Sequence, residues 1–146
     1  MTEHSKKFEN FKRRQELTSK IIQDYELSLP FDLDIFQREA FMALEADKNV
    51  LVSAPTGSGK TLVADFGIYL TKRRGLRSIY TTPIKALSNQ KYRELVERYG
   101  IENIGLLTGD NSINKEAPIV VMTTEVLRNM IYEDYQKIRH RFGSYG

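Results

Sequence analysis

Apolar positions change their period along this chain, and the changes mark out its elements. Between residues 6 and 26, Phe8, Phe11, Leu17, Ile21, Ile22 and Tyr25 recur at near-helical spacing among Lys, Arg and Glu, the pattern of a charged amphipathic helix. Ser28-Leu29-Pro30 breaks it. Asp34 then stands as N-cap of a second helix that runs through Phe36, Ala40, Phe41 and Leu44 to about Ala46. Asn49-Val50-Leu51-Val52-Ser53 reads as a buried strand, and Leu62 to Leu70 as a helix. The alternation repeats downstream. Arg77 to Thr82 reads as a strand ended by Pro83, and Lys85 to Arg98 as a helix with Ala86, Leu87, Tyr92, Leu95, Val96 and Tyr99 available for one face. Asn103 to Leu107 is a short strand, Thr108-Gly109-Asp110-Asn111 a turn cluster, and Pro118 to Met122 a further strand. A last helix runs from about Glu125 to Ile138, where Thr124 could cap it. Strands that alternate with helices and are apolar on both faces predict an α/β domain with a mainly parallel sheet flanked by helices.

Composition adds limits. A chain of 146 residues is long enough for one domain with a core and too short for two ordinary ones. Hydrophobic content of 40% with 28% charged residues describes a globular protein rather than a disordered one. The net charge of +3 is compatible with a nucleic-acid partner but too small to argue for one. The basic run Lys12-Arg13-Arg14 reads first as a solvated helix face and second as a backbone contact. The absence of cysteine excludes disulfides, thiol catalysis and Cys-based zinc sites, and His4 and His140 read as exposed residues rather than a metal pair. No apolar run approaches the roughly 18 residues of a membrane span, and Met1 to Lys20 lacks the apolar segment of a secretory signal. The expectation is an intracellular, cytoplasmic protein with no membrane partner.

The chemistry concentrates in Ala54-Pro55-Thr56-Gly57-Ser58-Gly59-Lys60-Thr61, a phosphate-binding loop of the G-x-x-x-x-G-K-[ST] type with Ala54 in place of the first Gly. A strand enters it and a helix leaves it, as such a loop requires. Consecutive backbone N–H groups and a helix N-terminus can cradle a triphosphate without any side chain. Gly57 and Gly59 allow the backbone angles and close approach that a Cβ would obstruct. Lys60 would reach the β- and γ-phosphates, and the Thr61 hydroxyl would bind Mg²⁺. The plainer alternative is a Gly-Ser-Gly turn with a solvated lysine. Thr82-Pro83, Thr108-Gly109-Asp110 and Thr123-Thr124 join the loop at carboxyl ends of strands, where ligands gather in such sheets.

The motifs together resemble the first motor domain (RecA-like) of superfamily-two helicases, in the superkiller/exosome-cofactor branch of DExH-box RNA helicases. The matching residues are Pro30 to Gln37, the loop itself, Thr82 to Tyr92, Gly105 to Asp110, Ile113-Asn114 and Val121 to Arg128, so the likeness covers about residues 29–132. The resemblance implies ATP and Mg²⁺ as cofactors and single-stranded RNA (or DNA) as partner. It implies that Phe31 packs on adenine and that Gln37 hydrogen-bonds its edge. Read alone, Phe31 is core filler and Gln37 an exposed helix residue. It further implies that Pro83, Lys85, Ala86, Leu87, Asn89 and Gln90 hold the nucleic-acid backbone, with Thr108, Gly109, Asp110, Thr123 and Thr124 as two more backbone elements. Lys85 and Asn89 also fit a solvated first helical turn, and Thr124 fits a cap.

Phosphoryl transfer to water also needs carboxylates that hold Mg²⁺ and orient the attacking water. In the family these form the DExH box, on a strand beyond the position of Ile138. No Asp-Glu pair follows an apolar strand here, and Glu133-Asp134 falls in or just after a helix. The resemblance therefore implies a partial RecA-like domain. The expected organisation is a charged helical extension over residues 1–28, a partial ATP-binding domain over 29–138 and a frayed tail over 139–146. Such a chain binds ATP without hydrolysing it unaided; a non-catalytic nucleotide- or RNA-binding module and a gene fragment are the alternatives. Val50-Leu51-Val52 would lie between unpaired edges, which favours aggregation. The chain is thus expected to be marginal in solution, and a sharp cooperative melt from a monodisperse monomer would contradict this.

Overall fold

The computed structural model describes residues 5–6 and 19–142. Two compact units divide the chain, Met1–Leu70 and Thr71–Gly146.

In the first unit, helix α1 spans Lys20–Leu27, α2 spans Ile35–Glu45 and α3, Lys60–Arg73, runs across the division. Ser19 is extended (φ −63°, ψ 158°), and its Oγ accepts from the Ile22 N–H at 3.3 Å. A helix therefore starts at Lys20, inside the one expected over residues 6–26. Residues 7–18, with Lys12-Arg13-Arg14, lie outside the described residues. The Ser19 hydroxyl also donates to Glu45, and Arg38 forks onto Glu26 at 2.5 and 3.1 Å, which ties α1 to α2.

Aromatic packing forms the core here. Phe41 and Phe66 stack with centroids 4.0 Å apart, and Tyr25 meets them edge-on at 5.6 and 5.3 Å. Such pairs contribute about 0.5–1.5 kcal/mol each beyond their area burial. Ile22, Leu33, Ala40 and Val63 are buried around them.

The strand expected over Asn49–Ser53 does not form. The segment carries no ladder among the described residues, and Leu51 is 96% exposed, while Val50 and Val52 rest partly on the aromatic core. A strand is defined by its partner, and apolar character alone supplies no hydrogen bonds to its backbone.

The second unit holds the sheet: β1 Ser78–Thr82, α4 Lys85–Tyr99, a 3-10 turn Ile101–Asn103, β2 Ile104–Leu107, β3 Ser112–Ile113, β4 Ile119–Thr123 and α5 Thr124–Phe142. Strand order is β1-β4-β2-β3. β4 pairs parallel with β1 (Thr82 opposite Thr123) and with β2 (Leu107 opposite Met122), and only the β2–β3 hairpin is antiparallel. All five β4 residues are buried, as befits a central strand covered on both faces. Helices α4 and α5 pack against the sheet. The architecture is the α/β arrangement with a mainly parallel sheet that the periodicity predicts.

Three details depart from expectation. The buried face of α4 is Ser88, Lys91 and Leu95, whereas Leu87 is largely exposed. Polar residues take these inward positions because they have partners there. Ser88 Oγ lies 2.6 Å from Thr82 Oγ1, and Lys91 Nζ sits 5.0 Å from the Tyr80 ring centroid and 3.4 Å from Glu94 Oε2. Helix α5 continues to Phe142, through the start of the tail expected to fray; residues 143–146 lie outside the described residues. Finally, β3 and the 3-10 turn, at two and three residues, are too short to leave a period in the sequence.

Gly105 shows how tightly the hairpin closes. A Cβ there would lie 2.3 Å from the Asn114 carbonyl oxygen, with Asn114 itself at φ 43°. Backbone cannot swing aside as a side chain can. Gly105→Ala is therefore expected to lower stability by about 1–3 kcal/mol, read as a drop in the urea midpoint with an unchanged m value.

Candidate functional site

The phosphate-loop residues lie in the first unit at the head of α3. Gly57 and Gly59 adopt φ +82° and +85°, angles that side chains other than glycine's rarely tolerate. A turn closes the loop, with the Ser58 N–H and Oγ both donating to the Pro55 carbonyl at 3.2 and 2.5 Å. That engages Ser58 within the loop. Pro55, Thr56, Gly57, Lys60 and Thr61 are exposed, Ala54 is half-buried, and among the described residues no heavy atom stands within 4 Å of a Cβ built on Gly57. Lys60 and Thr61 form the first turn of α3, whose N–H groups have no partners within the helix. Open space at Gly57, beside a lysine, a hydroxyl and a helix N-terminus, is compatible with a bound phosphate group.

Gln37 is 4% exposed, not the solvent-facing helix residue of its plainer reading. Its Oε1 accepts from the Asp34 N–H at 3.0 Å, part of a capping box at the start of α2, and its Nε2 donates to the Gly59 carbonyl at 3.2 Å. Nε2 also lies 2.4 Å from where a Gly59 Cβ would stand. The amide thus braces the phosphate loop from below, a role the sequence reading missed because it depends on a contact across 22 residues. Phe31 is half exposed, available as a flat apolar surface rather than built into the core.

The second group of expected residues lies in the second unit. Parallel pairing brings the carboxyl ends of β1, β4 and β2 to one edge of the sheet, and Thr82, Thr123 and Thr108 follow or end those strands. Pro83, Lys85, Ala86 and Gln90 are exposed on or just before the first turns of α4. Asn89 is half-buried, and its Oδ1 is buried with no hydrogen-bond partner among the described residues. Thr108 and Thr123 are buried. Thr108 Oγ1 accepts from the Asn111 N–H at 3.1 Å and fixes the turn that presents the exposed Gly109 and Asp110. Thr124 is the first residue of α5 rather than a cap before it, and its Oγ1 donates to the Thr82 carbonyl at 3.1 Å. Thr82 and Ser88 complete this edge as buried struts, and only their pairing across the β1–α4 connection reveals them.

One ion pair joins the two exposed parts of that edge, with Lys85 Nζ donating to Asp110 Oδ2. The hydrogen bond from Lys85, and then its positive charge, hold the Asp110 carboxyl below its ordinary value. A depressed carboxyl stabilises the fold above its unfolded value. The pair is therefore complete above about pH 4 and is lost as pH falls through the lowered value. Among the described residues no group of three or more His, Cys, Asp or Glu is arranged to hold a metal, and no helix is long and apolar enough to cross a membrane.

A glycine loop heading a helix in one unit and a mainly parallel sheet with polar residues at its strand ends in the other define an α/β protein, although among the described residues no strand enters the loop. The chain belongs to the DEAD/DEAH box helicase family, whose model matches residues 34–143. It is 60% identical over 106 residues to a probable helicase HelY of Mycobacterium leprae, covering 73% of this chain and 12% of that protein. It is 46% identical over 133 residues to the antiviral helicase SKI2 of Saccharomyces cerevisiae, covering 91% of this chain and 10% of that one. With the human exosome RNA helicase MTR4 it shares 51% identity over 110 residues, 75% of this chain and 10% of the relative. The chain thus spans about a tenth of the length of these relatives.

The brace under the loop is testable. Gln37→Glu replaces the Nε2 donor with a carboxylate facing the Gly59 carbonyl. It is expected to cost about 1–3 kcal/mol of stability, read by urea denaturation, whereas Gln90→Glu on the exposed face of α4 should change stability by less than about 0.5 kcal/mol.

Proposed function

We propose that this chain is the ATP-binding portion of an ATP-dependent RNA (or DNA) helicase, and that it holds single-stranded nucleic acid by its backbone. The carrying observation is the pair Lys60 and Thr61 in the first turn of α3, behind two positive-φ glycines, of which Gly57 has open space at its Cβ position. Lys60 would neutralise the β- and γ-phosphates and the Thr61 hydroxyl would take a place on Mg²⁺. Residues 54–59 would cradle the phosphates and Phe31 would meet the adenine face; Gln37, whose amide already bonds Asp34 and Gly59, would meet the adenine edge by exchanging one of those bonds for the base. When bound, ATP supplies the energy that drives domain closure in such motors.

On the nucleic-acid side, Pro83 precedes α4, Lys85, Ala86, Asn89 and Gln90 lie in its first turns, and Gly109 and Asp110 sit on the β2–β3 turn. Exposed polar groups and a helix N-terminus at strand ends suit phosphate and sugar contacts, which position a strand without reading its bases. Thr108 and Thr123, with Thr124, would join these backbone contacts from the same strand ends, and Thr108 Oγ1 also holds the turn that carries Gly109 and Asp110. The names of the relatives SKI2 and MTR4, an antiviral helicase and an exosome RNA helicase, favour RNA over DNA.

We infer further that the chain does not hydrolyse ATP unaided. Its one adjacent acidic pair near a candidate position, Glu133-Asp134, lies exposed within α5 and not at a strand end. Hydrolysis needs carboxylates placed at the phosphates.

The decisive measurement is anisotropy of a fluorescent ATP analogue with Mg²⁺. The chain should bind it, and Lys60→Ala should weaken binding by about tenfold or more. RNA-stimulated phosphate release by the 146-residue chain, abolished by Lys60→Ala, would overturn the inference on turnover. Tight single-strand binding with no nucleotide binding would favour a non-catalytic RNA-binding module.

A further inference from the structure

Lys85 carries the exposed positive charge at the start of α4, yet that charge already has a partner. Its Nζ donates to Asp110 on the β2–β3 turn, with side chains 48% and 71% exposed. An exposed ion pair contributes little to stability, so its value as a brace is small. Its geometry, however, is held from both sides. Thr108 Oγ1 fixes the turn through the Asn111 N–H, and Ser88 and Thr82 anchor the first turn of α4 to the end of β1. Gly109, next to Asp110, has no heavy atom of the described residues within 4 Å of its Cβ position, so the pair opens to solvent rather than into the fold.

A phosphate approaching Lys85 meets a carboxylate already bonded to it and carrying the same sign of charge. We propose that Asp110 is a resident competitor for Lys85, which a backbone phosphate must displace, and that it weakens nucleic-acid binding rather than contributing a contact. This rests on the reading of the strand-end edge as a nucleic-acid surface and reverses the sign expected for Asp110 within it. The exchange is inexpensive because water solvates the released carboxylate at once. It lowers affinity for isolated phosphates, while a strand with several phosphates can meet the cost through its other contacts. The pair would thus discriminate extended strands from short anions.

The test is anisotropy of a fluorescein-labelled uridine 12-mer against the full chain at two salt concentrations. Asp110→Asn should bind about two- to fivefold more tightly than the unaltered chain, with a steeper loss of affinity on raising salt. Lys85→Ala should bind more weakly, and Asp110→Asn in the Lys85→Ala background should restore nothing. Glu116→Gln, on an exposed residue near Arg77, controls for the change in net charge. Equal or weaker binding by Asp110→Asn while the unaltered chain binds would remove the competitor and leave the nucleic-acid surface standing. A gain that persists without Lys85, or that Glu116→Gln reproduces, would reduce the effect to net charge and overturn the proposal. No binding by any of these chains at low salt would overturn both the proposal and the surface on which it rests.

Discussion

The second unit depends on one constraint, the complete burial of β4 between two parallel neighbours. Ile119 to Thr123 can lose water on both faces only if every backbone donor and acceptor finds a partner, and β1 and β2 supply them in register. Parallel pairing then has a geometric consequence. All three strands must end on the same side, so the residues following each one meet there. Thr82 and Pro83, Thr108 to Asp110, and Thr123-Thr124 come from three separated stretches of sequence and share an edge for that reason alone.

At that edge the fold separates residues that hold shape from residues that face water. Thr82, Ser88, Thr108 and Thr123 are buried, and for the first three a polar partner offsets the cost of burial. Lys85, Gln90, Gly109 and Asp110 stay exposed on the frame so made. A list of polar motif residues therefore mixes two roles, and burial tells them apart. The Lys85–Asp110 pair belongs to the exposed set, where charges are easily exchanged for those of a ligand.

In the first unit the same division appears around the phosphate loop. Stacked Phe41 and Phe66 fix the relation of α2 to α3, and Gln37, on α2, meets the Gly59 carbonyl at the head of α3. The close approach requires a glycine at position 59 for space as well as for its φ angle. One glycine thus serves the loop's conformation and its support together.

Much of this was legible in the sequence. Helix periodicity and the capping signal at Asp34 located α2, apolar runs located β1, β2 and β4, and Gly-Ser-Gly-Lys-Thr located the positive-φ glycine turn at the head of α3, because each is a local preference with a local cause. The family likewise followed from short spaced motifs. What required the folded chain were the outcomes set by partners distant in sequence. Val50-Leu51-Val52 has strand character but no ladder, Ser88 and Lys91 are buried against the apolar pattern of their helix, and Gln37 serves a loop 22 residues away. A sequence determines which backbone shapes and which chemical groups a segment can offer. Tertiary structure alone decides which of them meet, because hydrogen bonds and burial are properties of pairs.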